Sequence, residues 1–155
     1  MNKKLAVIAD DFTGANDTGV QFSKKGLKTI VVTNTQNVEN VLEKLDVLVI
    51  DTESRVADKK TAYEKVSETV KTLKSHGFEF IYKKLDSTLR GNIGIEIAAA
   101  MDAAGVNLAL VAPALPSNGR TTIGGITWSI KFPWRGPKQP RITSLLFNIP
   151  IFPIL

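Results

Sequence analysis

A chain of 155 residues is about one domain's length, and 43% apolar with 23% charged residues is an ordinary globular composition. The absence of cysteine and the single histidine, His76, exclude a disulfide framework, a zinc ribbon, a thiol nucleophile and a His-rich metal site. The formal charge of +5 arises entirely beyond residue 102, where Arg120, Lys131, Arg135, Lys138 and Arg141 stand without any acid.

The first residues, Met1-Asn2-Lys3-Lys4, lead into only five apolar residues before Asp10, which does not make a signal peptide. No apolar run in the first 125 residues reaches the ~20 needed to span a bilayer, so the chain is expected to be cytoplasmic. Leu5–Ala9 is a continuous apolar run, the pattern of a strand buried on both faces. Similar runs at 29–32, 47–50, 78–82 and 108–111 predict four more strands. Between them lie helical patterns at 14–25, 37–44, 58–75 and 92–104. The third places Ala62, Val66, Val70 and Leu73 at three- and four-residue spacing, an amphipathic surface helix. Gly26, Gly77 and Gly105 each follow a helix where a left-handed cap is wanted. This alternation predicts an α/β, Rossmann-like three-layer domain with a mostly parallel sheet, followed by an irregular C-terminal tail.

In such sheets ligands bind beyond the carboxyl ends of the strands, so the polar residues there are the ones to inspect. After the first strand come Asp10 and Asp11, two adjacent acids that repel unless cations or donors compensate them. Thr13 is a reasonable helix cap, and Gly14 lets a ligand approach the helix amides. If Asp11 only caps the helix, Asp10 is left solvated. After the third strand comes Asp51-Thr52-Glu53-Ser54-Arg55, whose arginine suits a carboxylate with two parallel hydrogen bonds. The densest run follows the fourth strand: Lys83-Lys84-Leu85-Asp86-Ser87-Thr88-Leu89-Arg90-Gly91-Asn92. Its lysines and arginine neutralise an anion, while Asp, Ser and Asn bond hydroxyl groups, which together suit a small polyhydroxylated anion. After the fifth strand a Pro-rich turn carries Asn118, Gly119 and Arg120, common loop chemistry on its own. Neither a dinucleotide fingerprint nor a P-loop occurs. His76, at a helix end beside Gly77, suits the helix dipole better than a catalytic triad. The basic residues of the tail lie in a Pro-rich segment, not on a patterned face, so no nucleic-acid partner is expected.

Four segments, ADDFTGANDTG (Ala9–Gly19), DTESR (Asp51–Arg55), KKLDSTLRGNIGIE (Lys83–Glu96) and APALPSNGRTTIGG (Ala112–Gly125), together resemble the N-terminal, sugar-binding domain of the four-carbon acid sugar kinases. The resemblance runs from residue 4 to about 125. That family joins an N-terminal domain for the acid sugar to a C-terminal domain for ATP, and phosphorylates acids such as threonate, erythronate and 3-oxo-tetronate. The resemblance implies that Asp10, Asp11, Arg55, Lys84, Asp86, Ser87, Arg90, Asn118 and Arg120 face the sugar. It implies that Arg55, Lys84 and Arg90 fix the carboxylate and that an acid, Asp10 or Asp86, accepts the proton of the terminal hydroxyl. ATP and Mg2+ serve the full-length family, and neither is expected to bind this chain tightly. The expected partner is a small sugar acid, together with a nucleotide-binding domain from another chain or a second copy, and no membrane. By itself the chain is expected to be the inactive, substrate-recognising half of a kinase.

Beyond Gly125 the composition changes: residues 126–155 hold most of the prolines, both tryptophans and no acid. The resemblance leads one to expect Leu-Val-Asn-Gly-Ile-Pro-Leu-Glu there, after a His-His pair. A one-base slip, joining the last base of each codon to the first two of the next, recovers Leu-Val-Asn-x-Ile-Pro-Leu-Glu in order from Thr127 to Arg135. Residues 126–155 are therefore expected to be a frameshifted tail, foreign to the family. Two other functions fit the sequence more loosely. One is a receiver-like phosphoacceptor domain with Asp51 as acceptor, although Ala112-Pro113 stands where receivers want lysine and proline. The other is a stand-alone module that holds a sugar acid without turnover.

Overall fold

The computed structural model of the chain describes residues 4–36, 38–42, 45–123 and 126–129. They fall into two compact units, one ending at Val111 and the other beginning at Ala112.

The first unit runs β1 (Leu5–Ala9), α1 (Phe12–Ser23), β2 (Thr29–Val32), a short 3-10 turn (Val38–Asn40), β3 (Val47–Asp51), α2 (Lys59–Ser75), β4 (Phe80–Lys83) and α3 (Ile93–Ala104). The four strands make a wholly parallel sheet in the order β2-β3-β1-β4. Side chains alternate across a strand, so an unbroken apolar run needs cover on both faces. One face sends Ala6, Ile8, Leu48 and Ile50 against Val66, Val70 and Leu73 of α2, Ala99 and Ala100 of α3, and Phe78. The other sends Val7, Ala9, Val47 and Val49 against Ala15 of α1, with Phe22 packed alongside. The expected three-layer α/β domain is the one observed. Gly19 lets α1 sit close: a Cβ there would meet Val31 Cγ2 at 3.0 Å.

Helix boundaries follow from their caps. Asp11, not Thr13, is the N-cap of α1, accepting from the Gly14 amide, so the helix begins at Phe12 and takes Thr13 inside. Asp58 caps α2 with bonds from the Lys60 and Thr61 amides. His76 closes that helix, its Nδ1 lying 2.7 Å from the Thr72 carbonyl. Gly26, Gly77 and Gly105 all take the left-handed conformation expected of them.

Three expected elements differ. Where a helix is expected at 37–44, the described residues show a 3-10 turn, Val38–Asn40, and 3-10 conformation again at Leu42; residues 37, 43 and 44 lie outside the described residues. Val38 is buried in the core, and Val41 and Leu42 pack against it. The fourth strand starts at Phe80, because Phe78 turns inward as a buried plug beneath α2. Residues 108–111 form no strand: they leave the Gly105 cap without meeting the sheet, and Leu110 is 91% exposed. An apolar run becomes a strand only where a neighbour takes up its hydrogen bonds.

The second unit contains a 3-10 turn, Pro116–Asn118, and an antiparallel hairpin of β5 (Arg120–Ile123) and β6 (Ile126–Ser129). Gly119 closes the turn in the left-handed region. The expected unpatterned tail thus includes one strand, β6; from residue 130 onward the tail lies outside the described residues.

Candidate functional site

Register decides where the polar residues meet. Ala9 pairs with Asp51, and Ile8 pairs with both Ile50 and Lys83, so β1, β3 and β4 end at one level. The segments that follow them, Asp10-Asp11, Thr52–Arg55 and Lys84–Arg90, leave the same rim of the sheet.

Arg55 is the centre of this rim. Its Nε and Nη2 donate to the two oxygens of Asp10 at 2.8 and 2.9 Å, and its Nη1 and Nη2 donate to those of Asp11 at 2.6 and 2.7 Å. Both edges of the guanidinium are thus gripped by planar carboxylates, the arrangement arginine's fork favours. The Ser54 and Arg55 amides also donate to the Asp10 carbonyl, at 3.1 Å each. The hydrogen bond to Asp10, joined by the charges of Asp10 and Asp11, holds the Arg55 proton beyond the ordinary arginine range against the opposing effect of burial. Asp10 is only 1% exposed, so it is an ion-paired buried acid and not the solvated one that a pure capping role for Asp11 would leave. Asp11 does both jobs, capping α1 and holding Arg55.

Asp86 and Arg90 form a second pair, with Arg90 Nε donating to Oδ2 at 2.8 Å and Nη2 to Oδ1 at 3.1 Å. The Thr88 hydroxyl and the Arg90 amide also donate to Oδ2. Burial pushes the Asp86 carboxyl up, but the bonds from Arg90 and Thr88 outweigh it and hold the acid well below the usual carboxylate range. Lys84 stands apart. Its amide continues the ladder by donating to the Ile8 carbonyl, and its ammonium makes no ion pair with a carboxylate among the described residues. A Cβ placed on Gly14 would lie 2.6 Å from Lys84 Nζ and 2.5 Å from Asp11 Oδ1, so only glycine leaves room there for both groups. Glu53 (φ 46°) and Leu89 (φ 57°) hold left-handed backbone in the two rim segments, a strain that sites tolerate when surrounding contacts enforce it. Gly91 packs on the Arg55 side chain, and the Asn92 side chain ties the start of α3 to the Ser54 and Ala57 carbonyls instead of capping its own helix.

Beneath the rim lies a polar network that the sequence reading did not single out. Glu96, fully buried in α3, pairs with Lys83 Nζ at 2.7 Å and accepts from Ser54 Oγ at 2.7 Å. Ser54 Oγ meets Thr52 Oγ1 at 2.8 Å, and Thr52 Oγ1 donates to the Ala9 carbonyl at 2.9 Å. Lys83 Nζ also donates to the Lys84 carbonyl at 3.0 Å. The signal was present: an acid inside Ile93-Gly94-Ile95-Glu96-Ile97-Ala98 lies on an apolar helix face and needs a buried partner. Asp51 is the other unassigned acid; Oδ1 accepts from the Glu53 amide while Oδ2 is buried with no partner. Burial pushes this carboxyl up, only partly offset by the Glu53 bond, and the charges of Glu53, Asp11 and Asp10 push the same way. A side chain 1% exposed is a poor phosphoacceptor, which removes the main support for a receiver-like role.

The structure thus brings Asp10, Asp11, Arg55, Lys84, Asp86 and Arg90 to one rim, with Ser87 in the same segment. Asn118 and Arg120 belong to the second unit. Among the described residues no cluster of His, Asp or Glu has the makings of a metal site, and no helix is long and apolar enough to cross a membrane.

Residues 5–140 match the family model described as the sugar-binding N-terminal domain, past Gly125 where the sequence resemblance ended. The D-threonate kinase of Salmonella typhimurium is 48% identical over 126 residues, covering 79% of this chain and 29% of that protein. The D-erythronate kinase of Heliobacterium modesticaldum is 39% identical over 155 residues, covering 94% of this chain and 35% of that one. A crystal structure from Bordetella bronchiseptica, a domain-swapped dimer with bound citrate, superposes with a TM-score of 0.78 at 34% identity, over 83% of this chain and 34% of that one. This chain spans about a third of the length of these relatives.

Proposed function

The chain belongs to the family of sugar-binding N-terminal domains found in the four-carbon acid sugar kinases, and on that premise we propose that the rim of its first unit recognises a four-carbon sugar acid. The observation that carries the reading is the convergence of Arg55, Lys84 and Asp86 at the level carboxyl ends of β1, β3 and β4. Because Arg55 and Arg90 are already engaged by acids, Lys84 is the cation that takes the substrate carboxylate. Arg55, fixed by Asp10 and Asp11, and the Asp86–Arg90 pair present donors and acceptors to the hydroxyl groups. A neutral polyol lacks the charge for Lys84, and an anion without hydroxyls lacks the partners for the carboxylates.

In this reading the phosphoryl acceptor is the terminal hydroxyl of the acid, and its proton goes to a rim carboxylate. Both acids have their two oxygens on an arginine, but Asp86 suits that role better than Asp10, because its partner Arg90 is exposed while Arg55 is largely buried over Asp10. Asp86 Oδ1 accepts from Arg90 Nη2 at 3.1 Å, longer than the bonds that hold Asp10, so it is the oxygen of the two acids that a substrate hydroxyl reaches more easily. ATP and Mg2+ would supply the phosphoryl group and its charge neutralisation in a complete kinase. The described residues offer neither a P-loop nor a metal cluster, so no nucleotide site is assigned to this chain. The chain alone is then a substrate-holding module without turnover. We also propose that residues 126–155 are a shifted reading of a longer gene. Calorimetric titration with D-threonate, D-erythronate and erythritol tests the function: the two acids bind and erythritol does not, and Lys84→Ala removes the binding. Equal affinity for erythritol, or an unaffected Lys84→Ala variant, overturns it.

A further inference from the structure

The buried pair of Lys83 and Glu96 bonds to two segments of the rim, those that follow β3 and β4. Through Ser54 Oγ at 2.7 Å it holds the residue next to Arg55, and through Lys83 Nζ at 3.0 Å it holds the Lys84 carbonyl. Lys83 and Glu96 themselves are 8% and 0% exposed, out of a substrate's reach.

A buried ion pair is a weak device for stability, since desolvation offsets most of the attraction and apolar residues of similar size often serve as well. Its geometric role is different. Lys83 bonds the Lys84 carbonyl while Glu96 bonds the Ser54 hydroxyl, so the pair ties a main-chain group of one segment to a side chain of the other, which no pair of apolar residues does. We propose that Lys83 and Glu96 are positioning residues that set the spacing of Arg55 and Lys84 at the rim, acting through Ser54 and through the Lys84 main chain. The purpose given to that spacing rests on the sugar-acid reading above. The spacing itself is measurable without any ligand.

The test is proton exchange at Arg55 Nε, followed by NMR on the full chain, with thermal unfolding run in parallel. In the wild type this proton, donated to buried Asp10, exchanges slowly. The double variant Lys83→Met, Glu96→Leu is expected to unfold near the wild-type temperature yet exchange at Arg55 Nε about tenfold faster, as local opening becomes easier. Ser54→Ala, which cuts the link to Arg55 but leaves the ion pair, is expected to do the same and covers the case of a double variant that fails to fold. Glu96→Gln retains an acceptor for Ser54 and is expected to exchange more slowly than Ser54→Ala. Fast exchange in the wild type, or unchanged exchange in Ser54→Ala and any folded double variant, overturns the proposal. Titration of the wild type with D-threonate separates the two readings. No binding there contradicts the sugar-acid function, while the exchange rates still decide the positioning role.

Discussion

At the scale of single residues, the rim is governed by the rule that a buried charge must be matched. Asp10 is buried and depends on Arg55, so Arg55→Ala strands a carboxylate and is expected to cost about 3–5 kcal/mol in urea unfolding, far more than an exposed arginine would. A loss under 1 kcal/mol would show that the clamp contributes little. Asp86 gives a pH signature. Its folded-state acidity is depressed, so the stability it contributes is present above the unfolded carboxylate range, near pH 4, and is lost as pH falls through the folded value. Asp86→Asn should therefore be clearly less stable than the wild type at pH 7, with the gap closing progressively below about pH 4. A gap that is constant from pH 7 to pH 2 contradicts the pairing. Which residues gather here was legible in the sequence, because polar residues after parallel strands share a rim. How their charges are apportioned was not. The sequence assigns Arg55 and Arg90 to a substrate without showing that they also pair with Asp10, Asp11 and Asp86, since adjacent carboxylates taken out of water recruit the nearest fork of donors.

At the scale of elements, the strong patterns carried over and the weak ones did not. Helix α2 appears almost where its periodicity put it, because Ala62, Val66, Val70 and Leu73 form one stripe against the sheet and Asp58 marks its start. Leu73→Ala empties a fully buried site and is expected to cost about 2–5 kcal/mol in the same urea experiment, the spread reflecting how far α2 and Phe78 collapse into the space. A change below 1 kcal/mol would show that α2 is not anchored there. The segment 37–44 carries Val38, Val41 and Leu42 on the core, yet eight residues are too short to make a helix by their own propensity, and a 3-10 turn stands at Val38–Asn40. Residues 108–111 had the composition of a strand, but composition does not say whether a sheet edge comes within reach. Glu96 was hidden for a related reason: periodicity reveals a charged residue on an apolar face, and only the fold reveals that Lys83 and Ser54 wait opposite it.

At the scale of the whole molecule, two units of different character follow one another. The first is a wrapped parallel sheet with the candidate site at one rim, and the second begins with a turn and a hairpin. The gain of prolines after Gly125 is what the proposed change in reading frame would produce. The coding DNA tests that directly: the shifted frame should continue the open reading of a longer kinase with Leu-Val-Asn-x-Ile-Pro-Leu-Glu. A shifted frame that encodes other residues ends the idea. The sugar-acid site of the first unit does not depend on that outcome, and it is the central claim. Its most direct test is a threonate titration of the whole chain followed by amide and arginine side-chain NMR. The account predicts saturable shifts concentrated at Gly14, Arg55, Lys84 and Asp86, all reporting one affinity and all absent in Lys84→Ala. Shifts confined to other surfaces, or none at concentrations that saturate full-length relatives, would contradict it.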